Sequence, residues 1–123
     1  MTHAELIAAL EATTEPSWEL DAEIALLMGY PYERRAQDAK KWWYTPGEYR
    51  SRYAPPAYTS SIDAALTLVP EGYEVNIGWG RAPDVGNYAQ VFGPENAEWD
   101  EWRASSMAIA LCVAALRARE ATP

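Results

Sequence analysis

The stretch "MAIALCVAALRAR", residues 107–119, constrains the fold more than any other part of this chain. Met107, Ile109, Leu111, Cys112, Val113 and Leu116 point in several directions around a helix, with Ala108, Ala110, Ala114 and Ala115 between them. A helix at the surface of a domain carries one apolar stripe. A helix that is apolar nearly all round is covered on more than one side. The pattern predicts a buried helix over about 102–119, with Arg117 and Arg119 at its negative C-terminal end. With 123 residues the chain is expected to form a single domain, 1–123, so its cover has to come from the rest of the same chain.

That cover is visible upstream. Thr2 and Glu5 have the spacing of a capping box, and Leu6, Ile7 and Leu10 follow as a narrow stripe, so a helix is expected over 3–12. Ser17 is an N-cap for a second helix, with Glu19, Asp21 and Glu23 at its positive end. Leu20, Ile24, Leu27 and Met28 mark its apolar face, and Gly29 suits the position after its end. Ser60 and Asp63 resemble another capping box, followed by Ile62, Ala65, Leu66 and Val69 on one face, until Pro70 and Gly72. "YEVNIGW" alternates Tyr73, Val75, Ile77 and Trp79 with Glu74, Asn76 and Gly78, the strongest strand signal in the chain. "NYAQVF" is its partner across the loop "GRAPDVG". Residues 30–40 look irregular, and "KWWY" suits a short strand. Together these predict an α+β fold: a small antiparallel sheet layered between helices, α/β/α sandwich-like, with a buried C-terminal helix.

Composition narrows the function classes. A net charge of −8 disfavours broad nucleic-acid binding, which depends on neutralising phosphates. One cysteine, Cys112, allows no internal disulfide, which suits a reducing cytoplasm. The start "MTHAELIAALEA" carries no basic, apolar leader pattern, and no apolar run approaches the ~20 residues of a membrane span. The expectation is a soluble, cytoplasmic protein.

"YTSSIDAALTLVPEGYEVNIGW" and "SSMAIALCVAALRARE" together resemble the phage ABA sandwich domain family. The similarity is carried by Tyr58, Thr59, Ser61, Asp63, Ala64, Ala65, Leu66, Leu68, Val69, Pro70, Glu71 and Gly72, and by Ala110, Leu111, Cys112 and 114–119. The acidic start "ELIAALEATTEPSWELDAEIALLMGY" is similar as well. Tyr73 stands where the family often has Trp, "SSM" replaces its Thr-Pro, and residues 31–56 match least. The resemblance implies a sheet layered with helices and a phage or prophage source, in which case the cytoplasm is that of the bacterial host. It implies no chemistry, because the family is named for its architecture.

Catalytic signals are sparse. His3 is the sole histidine and is expected to be an exposed terminal residue, which leaves a Ser-His-Asp or Cys-His arrangement without its base. Cys112 lies among aliphatics and is expected to be an inert core thiol. Glu19, Asp21 and Glu23 read as helix N-terminal charge, and Glu95, Glu98, Asp100 and Glu101 as a solvated loop and first turn. "PENAEWDE" lacks the Asp-x-Asp-x-Asp-Gly pattern of a calcium loop. No catalytic residue, metal ligand or cofactor is assigned, and an acid/base hydrolase is the weakest of the readings considered.

One segment departs from the acidic balance. Between Glu33 and Tyr53 the cations Arg34, Arg35, Lys40, Lys41, Arg50 and Arg52 outnumber the acids Glu33, Asp38 and Glu48, and rings crowd the same region. A planar base stacks on aromatic faces, and a phosphate accepts paired hydrogen bonds from Arg. On that chemistry the ligand-binding candidates are Lys41, Trp42, Trp43, Tyr44, Tyr49, Arg50, Arg52 and Tyr53, with Trp79 and Arg81 from the hairpin. The expected function is a non-enzymatic phage accessory protein that sequesters a small anionic nucleotide, such as an adenine- or ADP-ribose-containing host immune signal. The same residue types dominate protein interfaces. The alternative is therefore a structural or interaction protein whose aromatic patches, including Trp99 and Trp102, make homo-oligomer or host-protein contacts. A plainer reading of the cluster is core rings with surface cations, whose stems cover apolar surface.

Overall fold

A hydroxyl marks the start of each helix. In α1 (His3–Ala12), Thr2 accepts from the Glu5 amide while the Glu5 carboxylate accepts from the Thr2 amide, completing the expected capping box. In α2 (Trp18–Leu27), Ser17 accepts from the Leu20 amide. The computed structural model describes residues 1–29, 33–34, 43–44, 55–79, 87–93, 102–104 and 106–121. Within them follow the strands β1 (Glu33–Arg34) and β2 (Trp43–Tyr44), the short α3 (Ile62–Leu66), then β3 (Glu74–Trp79), β4 (Asn87–Phe92), β5 (Trp102–Ala104) and α4 (Met107–Ala121).

The α+β class is as expected, and so is the antiparallel β3–β4 hairpin, which pairs Glu74 with Phe92 through to Trp79 with Asn87. β5 adds to β4, giving the order β3-β4-β5, while β1 and β2 form a separate antiparallel pair. One boundary differs. Residues 102–104, expected to open the last helix, are strand, and the helix begins at Met107. Ser106 explains the later start: its Oγ accepts from the Ile109 amide at 3.2 Å, the bond an N-cap makes.

α4 is the middle layer of the described residues. It packs against β3, β4 and β5 on one side and against α1 and α3 on another. From Ala108 to Leu116 every residue is buried, with Ile109, Leu111, Cys112 and Leu116 fully enclosed. Leu6, Ile7 and Leu10 of α1 reach this core, as do Leu20 and Ile24 of α2. Ala89 of β4 is also fully buried, and its small side chain lets the helix approach the sheet closely.

Two helix faces differ from the expected ones. On α2, Leu27 is exposed, and the buried face instead turns through Asp21, Ala22, Ile24 and Ala25. On α3 the cap is Ser61, not Ser60: Ser61 Oγ accepts from the Ala64 amide at 3.2 Å. That rotation buries Ala65 and Leu68 and leaves Ile62 and Leu66 outward, 38% and 40% exposed. Gly72 follows with φ +84°, a left-handed conformation that glycine adopts without penalty.

Candidate functional site

The polar chemistry of the described residues begins at a buried junction. Thr59 is fully enclosed and Asp21 nearly so. The Thr59 amide and hydroxyl both donate to Asp21 Oδ1, each at 2.8 Å. Thr59 Oγ1 in turn accepts from the Ser17 amide at 2.9 Å. Asp21 is thus more than a charge at a helix start. It fastens α2 to the turn before α3. Burial pushes its carboxyl above the usual aspartate value, and the two Thr59 bonds pull the other way.

Cys112 sits beside this junction and is fully buried in the core, as expected. Its thiol donates to the Tyr58 carbonyl at 3.2 Å. Burial, with the nearby Asp21 charge second, pushes the thiol up to about 12. His3 corrects its expectation. It is partly buried, and its Nε2 lies 2.7 Å from the Leu116 carbonyl, so the ring ties α1 to α4. The Arg pair of α4 is also engaged: Arg119 Nε donates to the Leu68 carbonyl at 2.5 Å, and Arg117 pairs with Glu11.

A cavity of about 160 Å³ opens between α1 and α4, lined by Ala4, Ile7, Ala8, Glu11, Arg117 and Glu120. Ligand pockets usually span roughly 300–1,000 Å³. With its Arg bound to Glu11, this space is a packing groove. Among the described residues no group of three or more His, Cys, Asp or Glu side chains is placed to hold a metal ion.

The basic–aromatic segment is brought together in part. Trp43 and Tyr44 form β2, with Arg34 opposite Trp43 and Glu33 opposite Tyr44. β1 lies in a stretch expected to be irregular, and a two-residue strand leaves no periodicity to find. Trp79 ends β3, opposite Asn87. Lys41, Trp42, Tyr49, Arg50, Arg52, Tyr53 and Arg81 lie outside the described residues, as does Trp99.

The outer face of the larger sheet has a geometry of its own. Asn76 and Gln90 stand opposite each other, and Asn76 Nδ2 donates to Gln90 Oε1 at 2.9 Å. One rung along, Tyr88 lies over Gly78: a Cβ at Gly78 would stand 2.6 Å from the Tyr88 hydroxyl.

Comparison of the chain with protein-family models, curated proteins and solved structures finds no match. None of the described helices is long and apolar enough to cross a membrane.

Proposed function

We propose that this chain is a non-enzymatic accessory protein that binds and holds a small anionic ligand of nucleotide type. The observation that carries the proposal is the β1–β2 ladder, which sets Arg34 opposite Trp43 within the segment richest in cations and rings. A ring and a guanidinium on neighbouring strands suit a ligand with a planar base and a phosphate. Cys112 and His3, the residues from which nucleophilic catalysis would most readily start, are both spent on backbone carbonyls. The resemblance to phage ABA sandwich domains supports a phage or prophage setting. There, in the host cytoplasm, sequestering an adenine- or ADP-ribose-containing immune signal is the fitting role.

The test is binding of nucleotides and dinucleotides to the full chain, read by thermal shift and calorimetry. Ligand at 100 times its Kd adds about 2.7 kcal/mol of apparent stability. Arg50→Ala or Arg52→Ala is expected to lower affinity at least tenfold, about 1.4 kcal/mol, with the melting temperature within a few degrees of the parent. Arg variants that bind as well as the parent would show the cations to be surface charge. The exposed pair Ile62 and Leu66 on α3 favours the second reading, an interaction protein. Concentration-dependent self-association abolished by Leu66→Lys, with no response to any nucleotide, would select it.

A further inference from the structure

We propose that the outer face of the β3–β4–β5 sheet is a nucleobase platform, on which Tyr88 stacks the base and the Asn76–Gln90 amide pair takes its hydrogen-bonding edge. This deepens the proposed function and rests on it, since it gives the nucleotide a second, named seat.

The face is built from three rungs: Glu74 with Phe92, Asn76 with Gln90, and Gly78 with Tyr88. Their neighbours in the strands, Val75, Ile77, Ala89 and Val91, pack toward the core, so these rungs lie on the other side. Asn76 is exposed, and Gln90 and Tyr88 are half-buried. The missing side chain at Gly78 is what admits the Tyr88 ring: an ideal Cβ would meet its hydroxyl at 2.6 Å and its Cζ at 2.8 Å. One side of the ring is laid across β3, and the residue as a whole stays partly exposed. A partly exposed ring fixed on a sheet is a stacking surface for a base.

The adjacent rung supplies an edge reader. The bond from Asn76 Nδ2 to Gln90 Oε1 uses one donor and one acceptor. Asn76 Oδ1 and Gln90 Nε2 then present one acceptor beside one donor. Adenine offers the complement, its 6-amino donor next to a ring-nitrogen acceptor, which is how Asn and Gln read this base elsewhere. Turning both amides over exchanges the roles and keeps the pairing. Charge orients the ligand. Glu74, exposed on this face, repels a phosphate from the Phe92 end, so the phosphates extend toward the Trp79 end of the hairpin.

The experiment is calorimetric titration of the full chain with AMP, ADP-ribose and purine riboside 5′-monophosphate, which lacks the 6-amino donor. The expected result is binding of AMP or ADP-ribose, at least tenfold weaker binding of the purine analogue, and a tenfold loss of AMP affinity in Asn76→Ala and Gln90→Ala. Gly78→Ala is expected to weaken AMP as much, because the new methyl displaces the Tyr88 ring. Its melting temperature should stay close to the parent's, since only the far end of the Tyr88 side chain has to move. If AMP binds the parent and Arg50→Ala weakens it, but the sheet variants and the purine analogue change nothing, the platform is overturned and the proposed function stands. The amide rung is then only a cross-strand pair. If neither AMP nor ADP-ribose binds below about 1 mM, a weak-fragment limit of roughly 4 kcal/mol, the platform is overturned, and the proposed function falls with it if no other nucleotide or dinucleotide binds either.

Discussion

Replacing Thr59 by Val tests whether the buried junction holds the helical layer together. Val fills the same volume and lacks only the hydroxyl. That hydroxyl donates to Asp21 Oδ1 at 2.8 Å and accepts from the Ser17 amide at 2.9 Å, in a site with no access to water. A hydrogen bond to a charged group contributes about 1.5–3 kcal/mol, and an orphaned buried amide costs about 1–3 kcal/mol. The two share one network and do not simply add, so Thr59→Val is expected to cost about 2–4 kcal/mol at neutral pH.

The cost should depend on pH, with a definite sign. Burial raises the Asp21 carboxyl above its unfolded value, so protonation favours the folded state. That contribution is fully present below about pH 4 and is lost as pH rises through the folded value. Thr59→Val removes the hydroxyl bond that favours the carboxylate, while the Thr59 amide still donates to it, and so raises Asp21 further. The deficit of the variant must therefore grow with pH. Guanidinium unfolding followed by tryptophan fluorescence, at about pH 3 and at pH 7, measures it. Asp21→Asn keeps the acceptor and drops the charge, and is expected within about 1 kcal/mol of the parent at pH 7. A Thr59→Val cost below about 0.5 kcal/mol, or one equal at both pH values, would refute the charge-assisted junction.

Leu111→Ala should cost about 2–5 kcal/mol, since the side chain is fully enclosed between the sheet and the helices. Equilibrium denaturation checks it, and a loss under 1 kcal/mol would mean α4 is not the central layer. Cys112 should resist a thiol reagent such as DTNB in the folded protein. With the thiol pushed to about 12, roughly one molecule in 10⁴ is thiolate at pH 8, and burial blocks access as well. Fast labelling before unfolding would overturn that reading.

What the sequence made legible is what depends on near neighbours. The capping box of Thr2 and Glu5, the Ser17 cap and the alternation in β3 are all set within a few residues, and the structure has each of them. The burial of α4 was legible too, because an apolar surface on every side demands cover. Contacts between distant residues were not. Asp21 looked like any acid in a first turn until Thr59 was brought to it. His3 looked like a frayed terminus, but its partner is the carbonyl of Leu116. β1 and β5 are too short to impose a period, and the reading of 102–104 as helix failed because the Ser106 hydroxyl caps the helix by accepting from the Ile109 amide instead.

The sheet face lies between these cases. Asn76 and Gly78 looked like the polar side of an alternating strand, which is correct and says nothing of function, and "NYAQVF" showed no face of its own. The hairpin register was nevertheless implicit in the two strands and the loop between them. Closing β3 at Trp79 on β4 at Asn87 forces Gly78 opposite Tyr88 and Asn76 opposite Gln90. Read as pairs, a glycine under a tyrosine and two amides in one rung are no longer generic surface. A strand needs neither a bare glycine nor two amides bonded in one rung, because Thr and Val at these positions would serve the sheet better. The departure from good strand chemistry on one face, beside orderly apolar residues on the other, is the physical reason to look there for a ligand.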